Sequence, residues 1–240
     1  YKLIDRAVQD KLTFIADPIL DPISYGFTKS IERYIHLREK YPDIHIMIGI
    51  GNITELTHAD TSGINMIMLG IVEELKLNHI LTTQVSRHCS TVIRETDLAR
   101  RIIHAASENN ITPKHINNGL LINHGHKDYA YTSDELSDMK SNIKDKNYRI
   151  YVNDDGVHLF NKTIYKVFSD PYDFYEFLEV DEDSGHSFYL GVELARAQIA
   201  YQLRKEYSQD EELDWGCLID KKADNKLQSK ELGPTFKKRK

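Results

Sequence analysis

The sequence predicts an α/β protein in which a parallel sheet built from βα units is followed by a small α+β domain. Short apolar runs alternate with helical patterns over the first 115 residues, and this alternation ends after Pro113. A strong hairpin signal then appears around residue 153. We therefore expect three segments, which are the βα units (1–115), the α+β domain (116–219) and a basic, flexible tail (220–240).

Each of the three βα units begins with a run of apolar residues that predicts a buried strand. The runs cover residues 12–16, 44–50 and 79–83. They are continuous rather than alternating, which is typical of a parallel sheet covered on both faces. Each is followed by a polar loop and then by apolar residues at helical spacing. The predicted helices are one that Ser30 caps, one that carries Ile64 to Leu75, and one over 92–109.

Three βα units are too few to close a barrel, which needs about eight. Either the chain lacks the rest of a barrel or the sheet is open. An open sheet edge has to be covered, so we expect the chain to bind a second copy of itself or another partner. Because it begins with Tyr1 and no signal peptide precedes it, we also expect it to be a fragment of a longer protein.

The second half predicts a helix, a three-stranded hairpin and two further helices. The helix covers 133–145, and strands over 148–152 and 157–160 flank the turn from Asn153 to Gly156. Asp-Gly favours this turn because glycine adopts positive φ without strain. A third strand over 163–168 follows, and then a short aromatic helix (171–180) and a longer one (187–207).

Composition excludes several classes of function. The chain has a net charge of −6, yet residues 220–240 hold eight basic residues against three acidic ones, so the body is strongly acidic. An acidic body argues against a nucleic-acid partner. No apolar run reaches the roughly 18 residues of a membrane span, which argues against a membrane partner. Two cysteines are too few for a disulfide framework and indicate the cytoplasm.

The loops after the three strands hold the candidate ligand-binding residues, because ligands of parallel α/β folds bind at the carboxyl ends of the strands. Aspartate and asparagine can pair with the amidine-like edge of a nitrogen heterocycle, and an arginine can hold a phosphate. The alternative for the two aspartates is a turn role, since Asp-Pro often opens a turn. The candidates are Asp17, Asp21, Asn52, Glu55, Thr83, Gln84, Arg87 and Arg94.

Other constellations are weaker. His115, His124 and His126 have metal-like spacing, but no further firm ligand follows, so we predict no metal site there. The tyrosines between residues 148 and 175 fit an aromatic platform for single-stranded nucleic acid. Core and hairpin packing explains them more simply.

Several stretches resemble the dihydropteroate synthases, and most closely a divergent, largely archaeal branch described as dihydropteroate synthase-related. Residues 15–103 resemble the C-terminal part of the synthase barrel. The motifs that carry the resemblance are DPISYGFTKSIERY (21–34), IGIGNITELT (48–57), DTSGIN (60–65), LTTQV (81–85) and IRETDLARR (93–101). FYLGVELARA (188–197) and LDWG (213–216) are similar to the divergent branch alone.

The resemblance implies that residues 1–115 are the C-terminal part of a pterin-binding (β/α)8 TIM barrel, whose missing N-terminal half would be a partner. True synthases join a pterin methyl diphosphate to an arylamine in folate or methanopterin biosynthesis and release diphosphate, commonly with Mg2+. Asp21 matches the family aspartate that binds the pterin ring, and Asn65 lies near a recurrent asparagine.

The sequence also departs from the synthases. Their Ser-Arg-Lys segment is replaced by Gly51 to Glu55, which contains no lysine. Their final Arg-x-His-Asp is replaced by Thr82 to Val85, and Arg87 and His88 lie further along. Arg87 and Arg94 replace the lost lysine only if their guanidinium groups reach the position that the lysine's charge occupies in the synthases.

The resemblance therefore predicts a dihydropteroate synthase-like, pterin-binding transferase, with Mg2+ only if diphosphate is the leaving group. Asp21 and Asn52 would bind the pterin, and Thr83, Gln84 and Arg87 would line the anion end. The alternatives are a non-catalytic pterin-binding or scaffold protein and a pterin-dependent methyltransferase.

Overall fold

The computed structural model describes residues 1–180 and 183–219 of the chain. The basic tail predicted for 220–240 lies outside the described residues. The chain divides into two compact units. The N-terminal unit comprises residues 1–120 and 216–218, and the C-terminal unit comprises the described residues from 121 to 215 together with Ile219.

The N-terminal unit contains three parallel strands and five α-helices within its described residues. In chain order they are α1 (Lys2–Gln9), β1 (Ile15–Ala16), α2 (Phe27–Lys40), β2 (His45–Gly49), α3 (Gly51–Thr54), α4 (Thr61–Glu74), β3 (His79–Leu81) and α5 (Val92–Glu108). Strand β2 lies between β1 and β3, and both pairings are parallel. One face of the sheet packs Ile46 and Ile48 against the helices, and both residues are fully buried.

The other face of this sheet is open. Ile15 is paired with His45, and Leu81 is paired with Gly49, so these residues share that face. Ile15 and Leu81 are each 52% exposed. The prediction that both faces are covered is therefore wrong for this face, because an apolar run shows that a strand is buried but not on how many sides.

The C-terminal unit contains an antiparallel sheet and two α-helices within its described residues. Its elements are α6 (Ser133–Ser141), β4 (Arg149–Asn153), β5 (Gly156–Phe160), β6 (Tyr165–Phe168) and α7 (Ser184–Leu203). A 3-10 helix over Pro171–Phe177 replaces the short helix predicted there. The core of the unit lies between the sheet and α7 and includes Leu159, Phe174 and Leu190.

The predicted barrel fold is contradicted by the structure. The described residues form two separate three-stranded sheets, one parallel and one antiparallel, and not an eight-stranded (β/α)8 TIM barrel or a closed part of one. The alternation of strands and helices is present, so the chain is α/β in the general sense. The barrel was implied by the resemblance alone. The periodicity of the residues fixes only the kind of repeating unit, and the number of strands in a sheet depends on pairing between distant segments.

Local signals account for several element boundaries. The turn over Asn153–Gly156 closes β4 against β5 as predicted, and Gly156 has a φ of 144°. Thr132 and Glu135 form the reciprocal capping box that starts α6. The prediction that Ser30 caps α2 is wrong, since the helix begins at Phe27 after Gly26, whose φ is 116°. The Ser30 hydroxyl instead donates to the Phe27 carbonyl at 2.6 Å.

None of the described helices has both the length and the apolar character needed to cross a membrane.

Candidate functional site

The carboxyl ends of β1, β2 and β3 share one cavity of about 240 Å³. Residues from all three following loops line it. They are Asp17, Ile19, Leu20, Gly49, Gly51, Asn52, Glu55, Leu56, Leu81 and Thr83. Four of the eight candidate ligand-binding residues are therefore brought together, with at least one from each loop.

Asp17 follows β1 directly and presents an exposed carboxylate to this cavity. Its Oδ1 accepts the backbone N–H of Ile19 at 2.9 Å and lies 3.4 Å from the hydroxyl of Tyr34. Burial, followed by the Asp17 charge, raises the pKa of Tyr34, so that hydroxyl stays protonated as a donor. Because both contacts involve Oδ1, the carboxylate keeps acceptor capacity on Oδ2 for a ligand.

Asn52 lies in α3, one residue after the helix begins. Its side-chain amide donates to the buried carbonyl of Leu20 at 2.8 Å, which joins the loop after β1 to the loop after β2. This bond uses the amide nitrogen, so the amide oxygen keeps its capacity to accept. The carboxylate that lies beside Asn52 at this cavity is therefore that of Asp17, and not that of Asp21, which the resemblance assigns to the pterin ring.

Glu55 also lines the cavity, but its carboxylate is already bound by the loop after β3. Oε1 accepts the N–H of Val85 at 2.8 Å and the hydroxyl of Thr83 at 3.0 Å. Oε2 accepts the N–H of Ser86 at 2.8 Å. These bonds, led by the Val85 N–H, lower the pKa of Glu55 to about 2, so it is ionised at neutral pH.

Asp21 and Gln84 lie outside this cavity. Asp21 forms an ion pair with Arg33 at 2.8 Å and lines a different cavity with that residue. Arg33 also donates to the carbonyls of Pro18 and Ile19, so the pair holds the loop after β1 in shape. Gln84 donates its side-chain amide to the carbonyl of Ser90.

The predicted anion end is divided, because Thr83 lines the cavity whereas Arg87 and Arg94 do not. Arg87 begins a short 3-10 helix, Arg94 lies in the first turn of α5, and both side chains are exposed. Asn65 is fully buried in α4 and donates to Glu95 at 2.8 Å. Asn65 is therefore part of the helix packing.

Gly51 is a site residue that sequence reasoning missed. A Cβ atom at this position would lie 3.0 Å from the Thr83 hydroxyl oxygen, so glycine allows the loops after β2 and β3 to approach each other. The available signal was the Gly49-x-Gly51 pattern, which lacks the third glycine of a dinucleotide-binding fingerprint. The structure gives it a different role, which is close packing beside the cavity.

A second cavity of about 470 Å³ lies against α1 and β1 and shares Asp17 with the first. Its lining is mainly apolar and includes Ile4, Phe14 and Leu37, with Arg33 as its basic residue. The exposed carboxylate of Asp17 thus lies between the smaller cavity and this larger one.

The rest of the described residues supports neither a metal site nor an aromatic platform for single-stranded nucleic acid. No group of three or more histidine, cysteine, aspartate or glutamate side chains is arranged there to hold a metal ion. Tyr151 stacks on the buried Phe160 with ring centroids 5.5 Å apart, which is hairpin packing. Tyr172 and Tyr175 are strongly exposed, at 88% and 72%, so the prediction that packing explains the tyrosines is wrong for these two.

Comparison with known proteins gives one informative similarity. No family model matches the chain, and no solved structure matches it. The chain is 30% identical over 238 residues to an uncharacterized protein of Methanocaldococcus jannaschii. The match covers 88% of this chain but only 44% of that relative, so the chain spans less than half the length of the protein it matches.

Proposed function

We propose that the N-terminal unit binds a reduced pterin at the carboxyl ends of β1, β2 and β3. The observation that carries this proposal is the cavity lined by Asp17, Asn52, Glu55 and Thr83. The resemblance to the dihydropteroate synthase-related branch supplies the identity of the ligand. The proposed site is formed by three neighbouring parallel strands, so it does not require a complete barrel.

The chemistry of the cavity suits a pterin ring. The pyrimidine side of a pterin presents adjacent N–H donors beside ring and carbonyl acceptors. A carboxylate accepts two donors in parallel, and a carboxamide complements a mixed edge. At about 240 Å³ the cavity is smaller than the roughly 300–1,000 Å³ of typical ligand sites. It therefore fits one fused ring system better than a pterin together with a second substrate.

A second candidate function is condensation of the pterin with an arylamine. The larger, apolar cavity beside Asp17 favours it, because it offers an adjacent place for an aromatic ring. In this reaction the bond between the pterin methylene carbon and the diphosphate oxygen breaks, a bond from that carbon to the amine nitrogen forms, diphosphate leaves, and the amine nitrogen releases one proton to solvent. The diphosphate needs a cation, which would be Mg2+ or the side chain of Arg87 or Arg94, and neither arginine lines the cavity. Methyl transfer and non-catalytic binding need no such cation.

Binding is tested by calorimetric titration of the whole chain with 6-hydroxymethyl-7,8-dihydropterin. We expect Asp17→Asn and Asn52→Ala to weaken binding by about tenfold or more, since each removes a charged or well-placed polar contact worth about 1.4 kcal/mol. The matched control is Asp43→Asn, an exposed aspartate before the amino end of β2. Equal binding by all four proteins, or no binding by the folded wild type, would contradict the proposal.

Turnover is tested separately with the pterin methyl diphosphate, 4-aminobenzoate and Mg2+, by chromatographic detection of the condensed product. Product that disappears in Asp17→Asn would support the condensation. Pterin binding without product would exclude condensation with this amine and favour the methyl-transfer or non-catalytic alternatives.

A further inference from the structure

The strand β4 lies at one edge of the antiparallel sheet of the C-terminal unit, which has the order β4-β5-β6. The pair of Asn153 and Gly156 closes the hairpin, and pairs along an antiparallel ladder alternate between hydrogen-bonded and non-hydrogen-bonded. The backbone groups of Ile150 and Val152 therefore face away from β5. An edge of this kind is a template on which another strand can pair.

The side chain of Gln209 already pairs with this outer edge. Its Oε1 accepts the N–H of Ile150 at 3.0 Å, and its Nε2 donates to the carbonyl of Tyr148 at 3.2 Å. A carboxamide that accepts and donates in this way reproduces the pairing of a neighbouring strand's backbone. The next outward N–H, that of Val152, has no hydrogen-bond partner among the described residues. The edge therefore pairs at one position and is open at the next.

A cavity of about 540 Å³ lies beside the open part of this edge. Its lining belongs to the C-terminal unit and consists of residues 128–131, 150–152, 206–209 and 211–214. Strands lie about 4.8 Å apart, rise about 3.3 Å per residue and pack about 10 Å from the next layer, so an extended residue occupies roughly 160 Å³. The cavity therefore has room for about three residues of an extended chain.

The lining of this cavity is strongly acidic. It contains five carboxylates, and none of the described residues that line it is a lysine, an arginine or a histidine. One carboxylate, that of Glu206, forms an ion pair with Lys127 at 3.0 Å. Tyr131 and Tyr151 add two aromatic rings in an edge-to-face pair, with centroids 5.5 Å apart. Carboxylates and tyrosine rings both attract the side chains of lysine and arginine. The acidic residues are Asp128, Glu206, Glu211, Glu212 and Asp214.

We propose that the outer edge of β4 and the acidic cavity beside it bind an extended, basic segment of a partner protein. The backbone of the segment pairs with the N–H of Val152 and the carbonyl of Ile150, and its basic side chains contact the acidic lining. Strand addition of this kind takes its affinity from the main chain and its specificity from the side-chain sites. A metal ion or a polyamine offers no carbonyl to the Val152 N–H, so a peptide complements this site better than either. The inference concerns the C-terminal unit and is independent of pterin binding.

The test uses the acetylated and amidated peptide Lys-Val-Lys-Val-Lys-Val as the probe and the whole chain as the protein, with affinity measured by calorimetry. We expect this peptide to bind, and we expect Glu-Val-Glu-Val-Glu-Val not to bind, because the lining repels it. The lysine peptide with every backbone nitrogen methylated keeps its charge but cannot pair as a strand, and should bind at least about tenfold more weakly. No binding of the lysine peptide, or equal binding of its methylated form, would overturn the proposal.

A double variant shows whether the peptide uses the acidic lining. Asp128→Asn combined with Glu211→Gln should weaken binding of the lysine peptide by about threefold or more, since two exposed ionic contacts are removed. The matched control is Glu176→Gln, which changes an exposed glutamate of the same unit outside the lining and should leave the affinity unchanged. If the double variant binds the peptide as tightly as Glu176→Gln does, the peptide lies elsewhere and the proposal is wrong.

Hydrogen exchange measured by nuclear magnetic resonance on the wild type keeps the test decisive if a variant does not fold. Saturating lysine peptide should slow exchange of the Val152 amide by about tenfold or more, because a hydrogen-bonded amide exchanges only when its contact opens. The Ile150 amide is the internal control and should change less, since Gln209 already accepts it. An unchanged exchange rate at Val152 would overturn the pairing with β4.

Discussion

His158 lies in the middle of β5 and is the most completely buried histidine among the described residues, with no exposed surface. One ring nitrogen, Nε2, lies 2.6 Å from the side-chain oxygen of Asn153, and the other, Nδ1, lies 2.9 Å from the hydroxyl of Tyr165. The Asn153 oxygen can only accept, so Nε2 carries the proton and Nδ1 accepts from Tyr165. This arrangement satisfies the neutral ring, and burial lowers the pKa of His158.

The stability of the C-terminal unit should therefore fall as the pH drops below about 6.5, the ordinary pKa of histidine. Between that value and the lower folded pKa, the unfolded chain binds a proton that the folded chain does not, so protonation favours unfolding. The contribution of the neutral His158 ring to the free energy of unfolding is fully present above pH 6.5. Urea unfolding followed by the fluorescence of Trp215, the single tryptophan, should show a lower midpoint at pH 5.5 than at pH 7.5.

His158→Gln should flatten this pH dependence, whereas His126→Gln, at an exposed histidine of the same unit, should leave it unchanged. If the urea midpoint of His158→Gln falls with pH as steeply as that of the wild type, groups other than His158 cause the pH dependence.

The sequence predicts the residues of the cavity best where they lie close to the end of a strand. Asp17 comes directly after β1, and Asn52 lies in the first turn of α3, three residues after β2, so the end of each strand largely fixes the position of its residue. Asp21 was also selected, but its carboxylate pairs with Arg33, twelve residues away on α2. His158 was not selected, because it stands in an apolar run and its partners lie on neighbouring strands. Side-chain pairing between elements is the part that a linear pattern does not contain.

At the scale of elements, a buried carboxylate joins α4 to α5. Glu95 is only 1% exposed. Its Oε2 accepts from Thr61 at 2.6 Å and from Asn65 at 2.8 Å, both on α4. Its Oε1 accepts from Thr91, the residue before α5, at 2.7 Å. The three donors compensate the loss of hydration that a buried charge suffers.

Glu95→Ala should lower the free energy of unfolding by about 3 kcal/mol or more, since each buried donor left unpaired costs roughly 1–3 kcal/mol. Glu95→Gln should cost less, because its oxygen still accepts. The control, Glu108→Ala at the exposed end of α5, should change stability by about 0.5 kcal/mol at most. Urea unfolding followed by far-ultraviolet circular dichroism measures all three, and an equal cost for Glu95→Ala and Glu108→Ala would refute the role of the network.

The elements themselves were predictable where a local signal marked their ends. The hairpin of β4 and β5 has Asp-Gly at its turn, and α4 and α5 have apolar residues at helical spacing. Helix α1 is absent from the sequence prediction although Leu3, Ile4, Ala7 and Val8 form an apolar stripe at helical spacing; it is only eight residues long and none of its residues is buried. The sequence predicts a loop at α3, since its single turn is defined by a backbone hydrogen bond between Ile50 and Thr54 rather than by a side-chain pattern.

At the scale of the whole molecule, the open face of the parallel sheet is the feature that remains to be accounted for. Parallel sheets are almost always covered on both faces. Here Ile15 and Leu81 are half exposed on one face, and β1 and β3 are both edge strands. The homo-oligomer predicted from the sequence stays a prediction, and this face is the surface that a second copy would cover.

Sedimentation velocity should then show association that increases with protein concentration. Leu81→Glu should shift the population toward the monomer, because a charge cannot be buried in an apolar interface without a partner. Ile67→Glu, on an exposed position of α4, is the matched control and should leave association unchanged. A wild type that stays monomeric at high concentration would refute self-association through this face.

The two units have separate cores, and each contains a residue that reports its unfolding, a buried cysteine in one and the tryptophan in the other. Cys89 belongs to the N-terminal unit, where its thiol is buried and donates to the Thr54 carbonyl at 3.3 Å. Burial and the Glu55 charge raise its pKa to about 11, so it reacts only when this unit opens. Trp215 packs against the core of the C-terminal unit.

A ligand bound at the carboxyl ends of β1, β2 and β3 should therefore stabilise the N-terminal unit, which Cys89 reports, and not the C-terminal unit, which Trp215 reports. Reduced pterin at about 100 times its Kd adds about 2.7 kcal/mol to the unit that binds it, which corresponds to about 100-fold slower labelling of Cys89. The measurement is made in a Cys217→Ser background, since Cys217 is only partly buried. The urea midpoint reported by Trp215 should not move. If it rises together with the protection of Cys89, the two cores unfold as one cooperative unit, and if neither changes, the pterin does not bind the N-terminal unit.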